Sequence, residues 1–134
     1  MRVLLRRLAV AVGALALTVL GMVAVTSSPA SAVPAGCTAT YLCIYPDPGY
    51  SGGFGHFSGS NPDWRLFSTS THNCGNGNWD NCISAAFNDG TSCSAHLWSS
   101  YNYSGSELTI SRGNGFSNLA NQGFDDTTSS NSWC

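Results

Sequence analysis

The chain has 134 residues, of which 9% are charged and 43% hydrophobic, and six of its residues are cysteines. Residues 33–134 contain two arginines, no lysine and seven carboxylates, and two minus seven gives a formal net charge of −5. This balance is unsuited to nucleic-acid phosphates and to an anionic membrane surface, so we expect neither as a partner.

Residues 1–32 have the features of a cleaved secretory signal peptide. Arg2, Arg6 and Arg7 precede an apolar segment over residues 8–25, and Ala30-Ser31-Ala32 supplies the small residues that a signal peptidase reads. We therefore predict cleavage after Ala32, a secreted extracellular protein with no membrane attachment, and a single domain over residues 33–134. A retained anchor is the alternative, because the apolar run is near the length of a membrane span. The sequence does not decide between the general secretory and the twin-arginine route.

All six cysteines lie after the predicted cleavage point. An even number of cysteines in a small extracellular domain indicates disulfides rather than free thiols, so we expect three bridges. Many pairings of six cysteines are possible. Proximity in sequence, together with the repeat described below, favours Cys37–Cys43, Cys74–Cys82 and Cys93–Cys134.

Short apolar runs separated by turn residues fill residues 33–134, and none has sustained helical periodicity. The clearest alternation places Leu42 with Ile44, Ala95 with Leu97, and Leu108 with Ile110. Weaker runs cover residues 54–57, 64–67, 83–87 and 118–120. Glycine, serine and asparagine interrupt the chain at the short intervals typical of a sandwich or barrel, so we predict an all-β domain of about eight strands.

An aromatic hairpin pattern occurs twice in the chain. Tyr45, Tyr50 and Gly52 have the same spacing as Trp98, Tyr103 and Gly105. Glycine adopts positive φ at little cost, so each connection can fold back on itself with the two aromatic rings packed around the fold. The pattern predicts two similar halves and gives the hairpins a structural role.

Each hairpin is followed by a turn rich in oxygen atoms. The first turn is Asp80-Asn81-Cys82-Ile83-Ser84-Ala85 and the second is Asp125-Asp126-Thr127-Thr128-Ser129-Ser130. Carboxylate, amide, hydroxyl and backbone oxygens are the ligands that Ca²⁺ prefers, although neither turn has the spacing of an EF-hand loop. One such turn is a common surface loop, whereas two in matching positions predict a pair of cation sites.

These motifs resemble those of the βγ-crystallin domains. The hairpin triplets match the family's hairpin pattern, and the turns match (Asn/Asp)-(Asn/Asp)-x-x-(Ser/Thr)-Ser except at Ala85, which ends the first turn. The resemblance implies a βγ-crystallin-like sandwich of two Greek-key motifs, bonded by disulfides. The first Greek key would cover about residues 37–90 and the second about residues 91–134.

The resemblance also implies two calcium sites built across the keys. Each turn would supply the side chain of its second residue, the carbonyl of its third and the hydroxyl of its fifth, and each hairpin one backbone carbonyl. The implied ligands are Asn81, Cys82, Ser84, Asp126, Thr127 and Ser129 from the turns, and Pro46 and Ser99 from the hairpins. Because Asn81 is neutral, its site is expected to bind Ca²⁺ more weakly than the site of Asp126. In relatives that bind no calcium, the serine at the fifth position bonds the folded hairpin instead.

Four features are similar to secreted actinobacterial peptidase inhibitors of the Streptomyces metalloproteinase inhibitor type. They are the signal peptide, the Cys37-x5-Cys43 opening, its Cys-Ile-Tyr strand and the closing cysteine. The resemblance implies an extracellular proteinase as partner, and we expect a monomer. Residues 75–80, closed by Cys74 and Cys82, are the candidate inhibitory loop. The alternatives are a killer-toxin-like antimicrobial protein, which the acidic charge disfavours, and a structural extracellular calcium-binding module.

We expect no enzymatic activity. Residues 49–53 satisfy the pattern G-x-S-x-G around Ser51, but a nucleophile elbow requires a strand-to-helix turn in an α/β-hydrolase. The hairpin already accounts for these residues. His56, His72 and His96 are dispersed along the chain with no evident nucleophile beside them.

Overall fold

The computed structural model describes residues 32–71 and 74–134, so the expected signal peptide lies, apart from Ala32, outside the described residues. The described chain forms seven β-strands: β1 (Leu42–Tyr45), β2 (Gly55–Phe57), β3 (Ala85–Asn88), β4 (Ala95–Ser100), β5 (Ser104–Ile110), β6 (Gly115–Phe116) and β7 (Ser130–Trp133). Two 3₁₀ turns cover Trp64–Leu66 and Leu119–Gln122. The all-β prediction is confirmed, and none of the described segments is a helix long and apolar enough to cross a bilayer.

The strands form two antiparallel sheets that exchange segments between the halves of the chain. The first sheet has the order β2-β1-β3-β6 and the second the order β5-β4-β7. Strand β6 comes from the second half but pairs with β3, with Phe116 opposite Ala86. Reciprocally, Asn61 of the first half forms an antiparallel bridge with Asn131 in β7. The halves therefore cannot separate without breaking both sheets.

The predicted likeness of the two halves appears in their backbone bonds and dihedral angles. Backbone N–H groups donate equivalent hydrogen bonds at three pairs of positions, one from each half: Trp64 and Leu119, Asn81 and Asp126, and Ser84 and Ser129. In the first two pairs the acceptor carbonyl lies in the other half. Left-handed residues also recur, with φ of 60° at Tyr50 and 57° at Tyr103. The two halves thus share one local structure despite little sequence identity.

The segments over residues 64–67 and 118–120, predicted as weak strands, are 3₁₀ turns instead. The Asp63 carboxylate accepts the N–H of Arg65 at 3.0 Å, and the Asn118 amide oxygen accepts the N–H of Ala120 at 3.0 Å. Such side-chain bonds to the backbone compete with strand pairing and cap a turn. The β-bridges of these segments form three residues before each turn begins: at Asn61, before Trp64, and at Phe116, before Leu119.

The hydrophobic core lies between the sheets and is closed by disulfides. Its largest fully buried side chains are Trp64, Leu42, Ile44, Ile83, Leu97, Ile110 and Leu119, whereas Tyr45 and Phe87 are buried on the opposite face of the first sheet. The predicted pairs Cys37–Cys43, Cys74–Cys82 and Cys93–Cys134 all form, with Cα separations of 5.7, 5.1 and 5.2 Å. Disulfides of this kind typically stabilise a fold by about 2–4 kcal/mol each.

The extra length of the first half, between Leu66 and Asn81, folds back on itself. The Thr69 N–H donates to the Gly77 carbonyl at 3.0 Å, and the Trp79 N–H donates to the Phe67 carbonyl at 3.2 Å. Trp79 is 6% exposed and covers Gly55, where a Cβ atom would lie 2.6 Å from the indole ring. The insertion is thus anchored at both ends and carries an aromatic ring onto the edge strand β2.

Replacing Asn131 with alanine should destabilise the fold by about 2–3 kcal/mol, because it leaves buried groups without partners. The Asn131 Oδ1 accepts from the Trp64 Nε1–H at 2.9 Å and from the Asn61 amide at 3.0 Å, and its own amide donates to the Gly59 carbonyl at 3.0 Å. Urea denaturation measures the loss. The exposed Asn121→Ala is the control, and equal stability of the two variants would contradict the role assigned to this network.

Candidate functional site

The two acidic turns contact each other across the boundary between the halves. The Asn81 N–H donates to the Thr128 carbonyl at 2.9 Å, and the Asp126 N–H donates to the Ile83 carbonyl at 3.0 Å. Asn81 and Asp126 both have left-handed backbones, with φ of 52° and 49°. Asn and Asp tolerate this conformation better than other residues with a Cβ, so the backbone as well as the side chain favours them at the second position.

The first group of predicted ligands consists of Asn81, Cys82, Ser99 and Ser129, and we call it the Asn81 cluster. The Ser129 hydroxyl donates to the Asn81 Oδ1 at 3.4 Å. The Ser129 N–H donates to the Trp98 carbonyl at 2.9 Å, which brings Ser99, the next residue, beside it. The side chain of one turn therefore meets the hydroxyl of the other.

The second group consists of Asp126, Thr127, Ser84 and Pro46, and we call it the Asp126 cluster. The bond from Asp126 to the Ile83 carbonyl places Asp126 beside Ser84. The Ser84 N–H donates to the Tyr45 carbonyl at 2.9 Å, which places Pro46 next to Ser84. The backbone bonds thus sort the eight residues predicted as ligands into two groups, and each group combines the second residue of one turn with the serine of the opposite turn.

Burial raises the pKa of the Asp126 carboxyl, and the carboxylates of Asp125 and Asp47 raise it further. A partly desolvated carboxylate near other carboxylates is a concentration of negative charge. A bound cation would reverse both effects, so the electrostatics of the Asp126 cluster suit a cation.

Asp80 is a residue of the site that was not among the predicted ligands. Its carboxylate is only 7% exposed, and its Oδ2 accepts from the Tyr101 hydroxyl at 2.7 Å and from the Asn81 amide at 3.2 Å. The bond to Asp80 raises the pKa of Tyr101. The Arg65 guanidinium stacks 3.9 Å above the Tyr101 ring. The turn motif places an acid at this position, but only the fold shows that the acid is buried.

Several polar atoms in the two turns lack partners, which is the feature expected of an oxygen site that can accept a cation. The Asp80 Oδ1 and the Thr127 and Thr128 hydroxyls are buried without a hydrogen-bond partner. Ca²⁺ takes six to eight oxygen ligands, so these atoms and the turn carbonyls fit a hard cation. Within residues 32–71 and 74–134 no group of three or more His, Cys, Asp or Glu is placed to hold a metal. The donor set would therefore mix carboxylate, amide, hydroxyl and carbonyl oxygens.

The serine of the G-x-S-x-G pattern belongs to the first hairpin. The Ser51 hydroxyl donates to the Pro48 carbonyl at 2.8 Å and not to a histidine. His96 lies on β4 in a surface pair with Glu107, and its hydrogen bond lowers the pKa of that carboxyl. The described cysteines are all in disulfides. These side chains therefore have structural partners rather than the arrangement of nucleophile and base that covalent catalysis requires.

Solved structures with the same topology define the class of the domain. A structure bearing on the evolution of the eye-lens βγ-crystallin domain fold aligns with a TM-score of 0.62 at 14% identity, over 76% of this chain and 92% of that chain. A βγ-crystallin from Ciona intestinalis aligns with a TM-score of 0.56 at 16% identity, over 70% and 99%. A βγ-crystallin from an archaeon aligns with a TM-score of 0.53 at 15% identity, over 72% of this chain and 100% of that chain. At such identities the likeness shows the fold alone, and the predicted βγ-crystallin fold is confirmed.

A model of the peptidase inhibitor family I36 matches residues 30–111. The match spans more than half of the chain, and the protein belongs to peptidase inhibitor family I36. No curated protein matches the chain significantly. Membership implies a proteinase of some kind as the partner, and it leaves the class of proteinase open.

Without a bound cation, replacing Asp126 with asparagine should stabilise the protein at pH 7. The folded-state pKa of Asp126 is raised above the ordinary value of 3.8, so the charged form costs stability. That cost is absent below the unfolded pKa, grows as the pH rises from the unfolded to the folded pKa, and is complete above the folded pKa. Thermal melts in EDTA should therefore show the advantage of the variant at pH 7 and its disappearance at low pH.

Asp63→Asn is the matched control for that experiment. A hydrogen bond from Arg65 lowers the pKa of Asp63, so this carboxylate stabilises the fold above its unfolded pKa. At pH 7 the two substitutions should change the stability in opposite directions: Asp126→Asn should raise it and Asp63→Asn should lower it. A loss of stability in Asp126→Asn under EDTA would show that its carboxylate makes a favourable contact instead.

Proposed function

We propose that the protein is a secreted inhibitor of an extracellular proteinase, of the metalloproteinase type, and that two bound Ca²⁺ ions stabilise it. Membership of peptidase inhibitor family I36, over residues 30–111, is the observation that carries this proposal. The protein acts by binding rather than by catalysis. Its three disulfides are typical of proteins exposed to an oxidising extracellular environment.

A rigid inhibitor suits this fold because binding costs less when the contact surface is already ordered. Each half contributes a segment to the sheet of the other, through β6 and through Asn61. The disulfide between Cys93 and Cys134 joins residues 41 positions apart. These constraints limit the opening of the fold that a proteinase needs in order to cleave it.

The proposed calcium sites are the Asn81 and Asp126 clusters. In each, a side-chain oxygen from one turn and a serine hydroxyl from the other would hold the ion, with carbonyl oxygens from the turns and hairpins. The ion would supply positive charge between the two turns and so bring the halves together. The carboxyl group of Asp80 accepts from the Asn81 amide and so adds an acidic side chain next to the Asn81 cluster. The expected difference in affinity between the clusters is thereby reduced.

Calcium should raise the melting temperature of the wild-type protein by mass action. At a concentration of 100 times Kd, one site contributes about 2.7 kcal/mol. Asp126→Ala should abolish one binding event and Asn81→Ala the other, as measured by isothermal titration calorimetry and by heat scans with and without EDTA. An unchanged melting temperature at millimolar calcium would remove the metal proposal and leave the inhibitor proposal intact.

The purified protein should inhibit thermolysin, a zinc metalloproteinase, with one-to-one stoichiometry, and should leave subtilisin active. Titration of each enzyme with a peptide substrate measures both effects. A growth-inhibition assay on bacteria and fungi is the parallel control, because a killer-toxin-like protein would act there and not on the enzymes. Inactivity in every assay would favour a structural calcium-binding module.

A further inference from the structure

The edge of the first sheet has an apolar surface that the equivalent edge of the second sheet lacks. Among the described residues, Leu66 is the most exposed large hydrophobic side chain, at 76%, and Phe54 is 48% exposed. Both line a groove of about 630 Å³ along the edge strand β2, where Trp79 and Phe67 form further walls. Among the described residues no Asp, Glu, Lys or Arg lines this groove, although the domain as a whole is acidic, and the groove's polar lining consists of His56 and the hydroxyl residues 68–71.

Comparison of the halves shows that the fold does not require these apolar side chains. The matching bonds of Trp64 and Leu119 make Asn121 the equivalent of Leu66. In β2 the pairing of Phe57 with Leu42 matches that of Ile110 with Ala95, so Glu107 is the equivalent of Phe54. The second half therefore builds the same backbone with polar residues at both positions. Phe54 also packs beside the Tyr45 ring, at 6.5 Å between centroids, whereas the exposed Leu66 is the side chain that folding explains least.

Leu66 is presented on a fixed turn. Its neighbour Trp64 is fully buried, and Arg65 is bonded to Asp63 and stacked on Tyr101. The next residue, Phe67, donates its N–H to the Trp64 carbonyl at 3.2 Å and packs edge-to-face on Phe57 at 5.0 Å. An apolar side chain held this way loses little conformational freedom on binding, which is a property of interface hot spots.

We propose that Leu66, supported by Phe54, is the anchor that enters an apolar specificity pocket of the target proteinase. This inference rests on the proposed inhibitory function and assigns its contact surface. A protruding apolar side chain complements a concave apolar pocket, and the described lining of the groove around it, which contains no Asp or Glu, does not favour a cationic pocket. β2 is the terminal strand of its sheet and has no strand partner on its outer side among the described residues, so its backbone can pair with an extended segment beside the pocket.

The loop closed by Cys74 and Cys82 has a supporting role in this arrangement. Its described exposed residues, Gly75, Asn76 and Gly77, offer no apolar anchor, whereas Trp79 and Asp80 are buried. Trp79 forms a wall of the groove and covers Gly55. The disulfide therefore holds the surface on which Leu66 and Phe54 are displayed.

Inhibition constants of four variants against thermolysin and subtilisin test the proposal. Against the enzyme that the wild type inhibits, Leu66→Asn should raise the inhibition constant about 30-fold or more, as expected of a hot spot, and Phe54→Glu should raise it by a smaller factor. Leu66→Met should keep most of the inhibition. Asn121→Leu, which places leucine on the equivalent turn of the other half, should change nothing. Melting temperatures of the Leu66 and Asn121 variants should stay within a few degrees of the wild type, because both positions are exposed, whereas Phe54→Glu also loses the ring contact with Tyr45.

Three outcomes would overturn the proposal, and they differ in what else they overturn. If Leu66→Asn inhibits the enzyme as strongly as the wild type does, Leu66 is not the anchor, but the proposed inhibitor function stands. A wild-type protein inactive against both enzymes would refute the proposed function and the anchor together. A wild-type dimer in size-exclusion chromatography that Leu66→Asn dissociates, with inhibition unchanged, would assign the surface to a second copy of the chain. If Leu66→Asn is unstable, Phe54→Glu decides the question, because unchanged inhibition by a folded Phe54→Glu would contradict the proposed contact surface.

Discussion

The backbone bonds of two serines link the fold of this protein to its candidate cation sites. The Ser129 N–H bonds to Trp98 within its own half, and the Ser129 carbonyl accepts from Trp64 of the other half. Ser84 makes the same two kinds of bond: its N–H donates to the Tyr45 carbonyl, and its carbonyl accepts from the Leu119 N–H. Both hydroxyls are therefore fixed by the exchange of segments that also builds the core. Any change that separates the halves would displace the proposed ligands at the same time.

The two halves have kept a common backbone and have diverged on their surfaces. Their left-handed positions, capped turns and hairpins correspond, yet the first half displays Leu66 where the second displays Asn121. The first half also contains the disulfide-closed insertion that brings Trp79 onto β2. A duplicated scaffold allows this division, because one copy can acquire a binding surface while the other maintains the pairing that both need.

Features that depend on local spacing could be predicted from the sequence. The repeated hairpins and the disulfides Cys37–Cys43 and Cys74–Cys82 follow from short-range patterns, and the structure contains them. The favoured Cys93–Cys134 bridge also forms, although it spans 41 positions. The 3₁₀ turns were predicted as strands because one buried residue in a short apolar run, Trp64 or Leu119, has the same appearance in either structure. The exchange of β6 could not be foreseen from residues 115–116 alone, since two residues carry no strand signal. Whether an exposed leucine or a buried aspartate results depends on contacts between distant segments.

The negative charge near Asp126 raises the question of how the fold tolerates it without a cation. Burial and neighbouring carboxylates disfavour its charged form, so this part of the turn opposes folding at neutral pH. The stabilisation that offsets this effect comes from elsewhere, because the disulfides and the buried Asn131 network do not depend on the charge of the turns. The same repulsion that weakens the cation-free fold would strengthen cation binding. The covalent bracing therefore stabilises a fold in which the charged form of Asp126 is disfavoured.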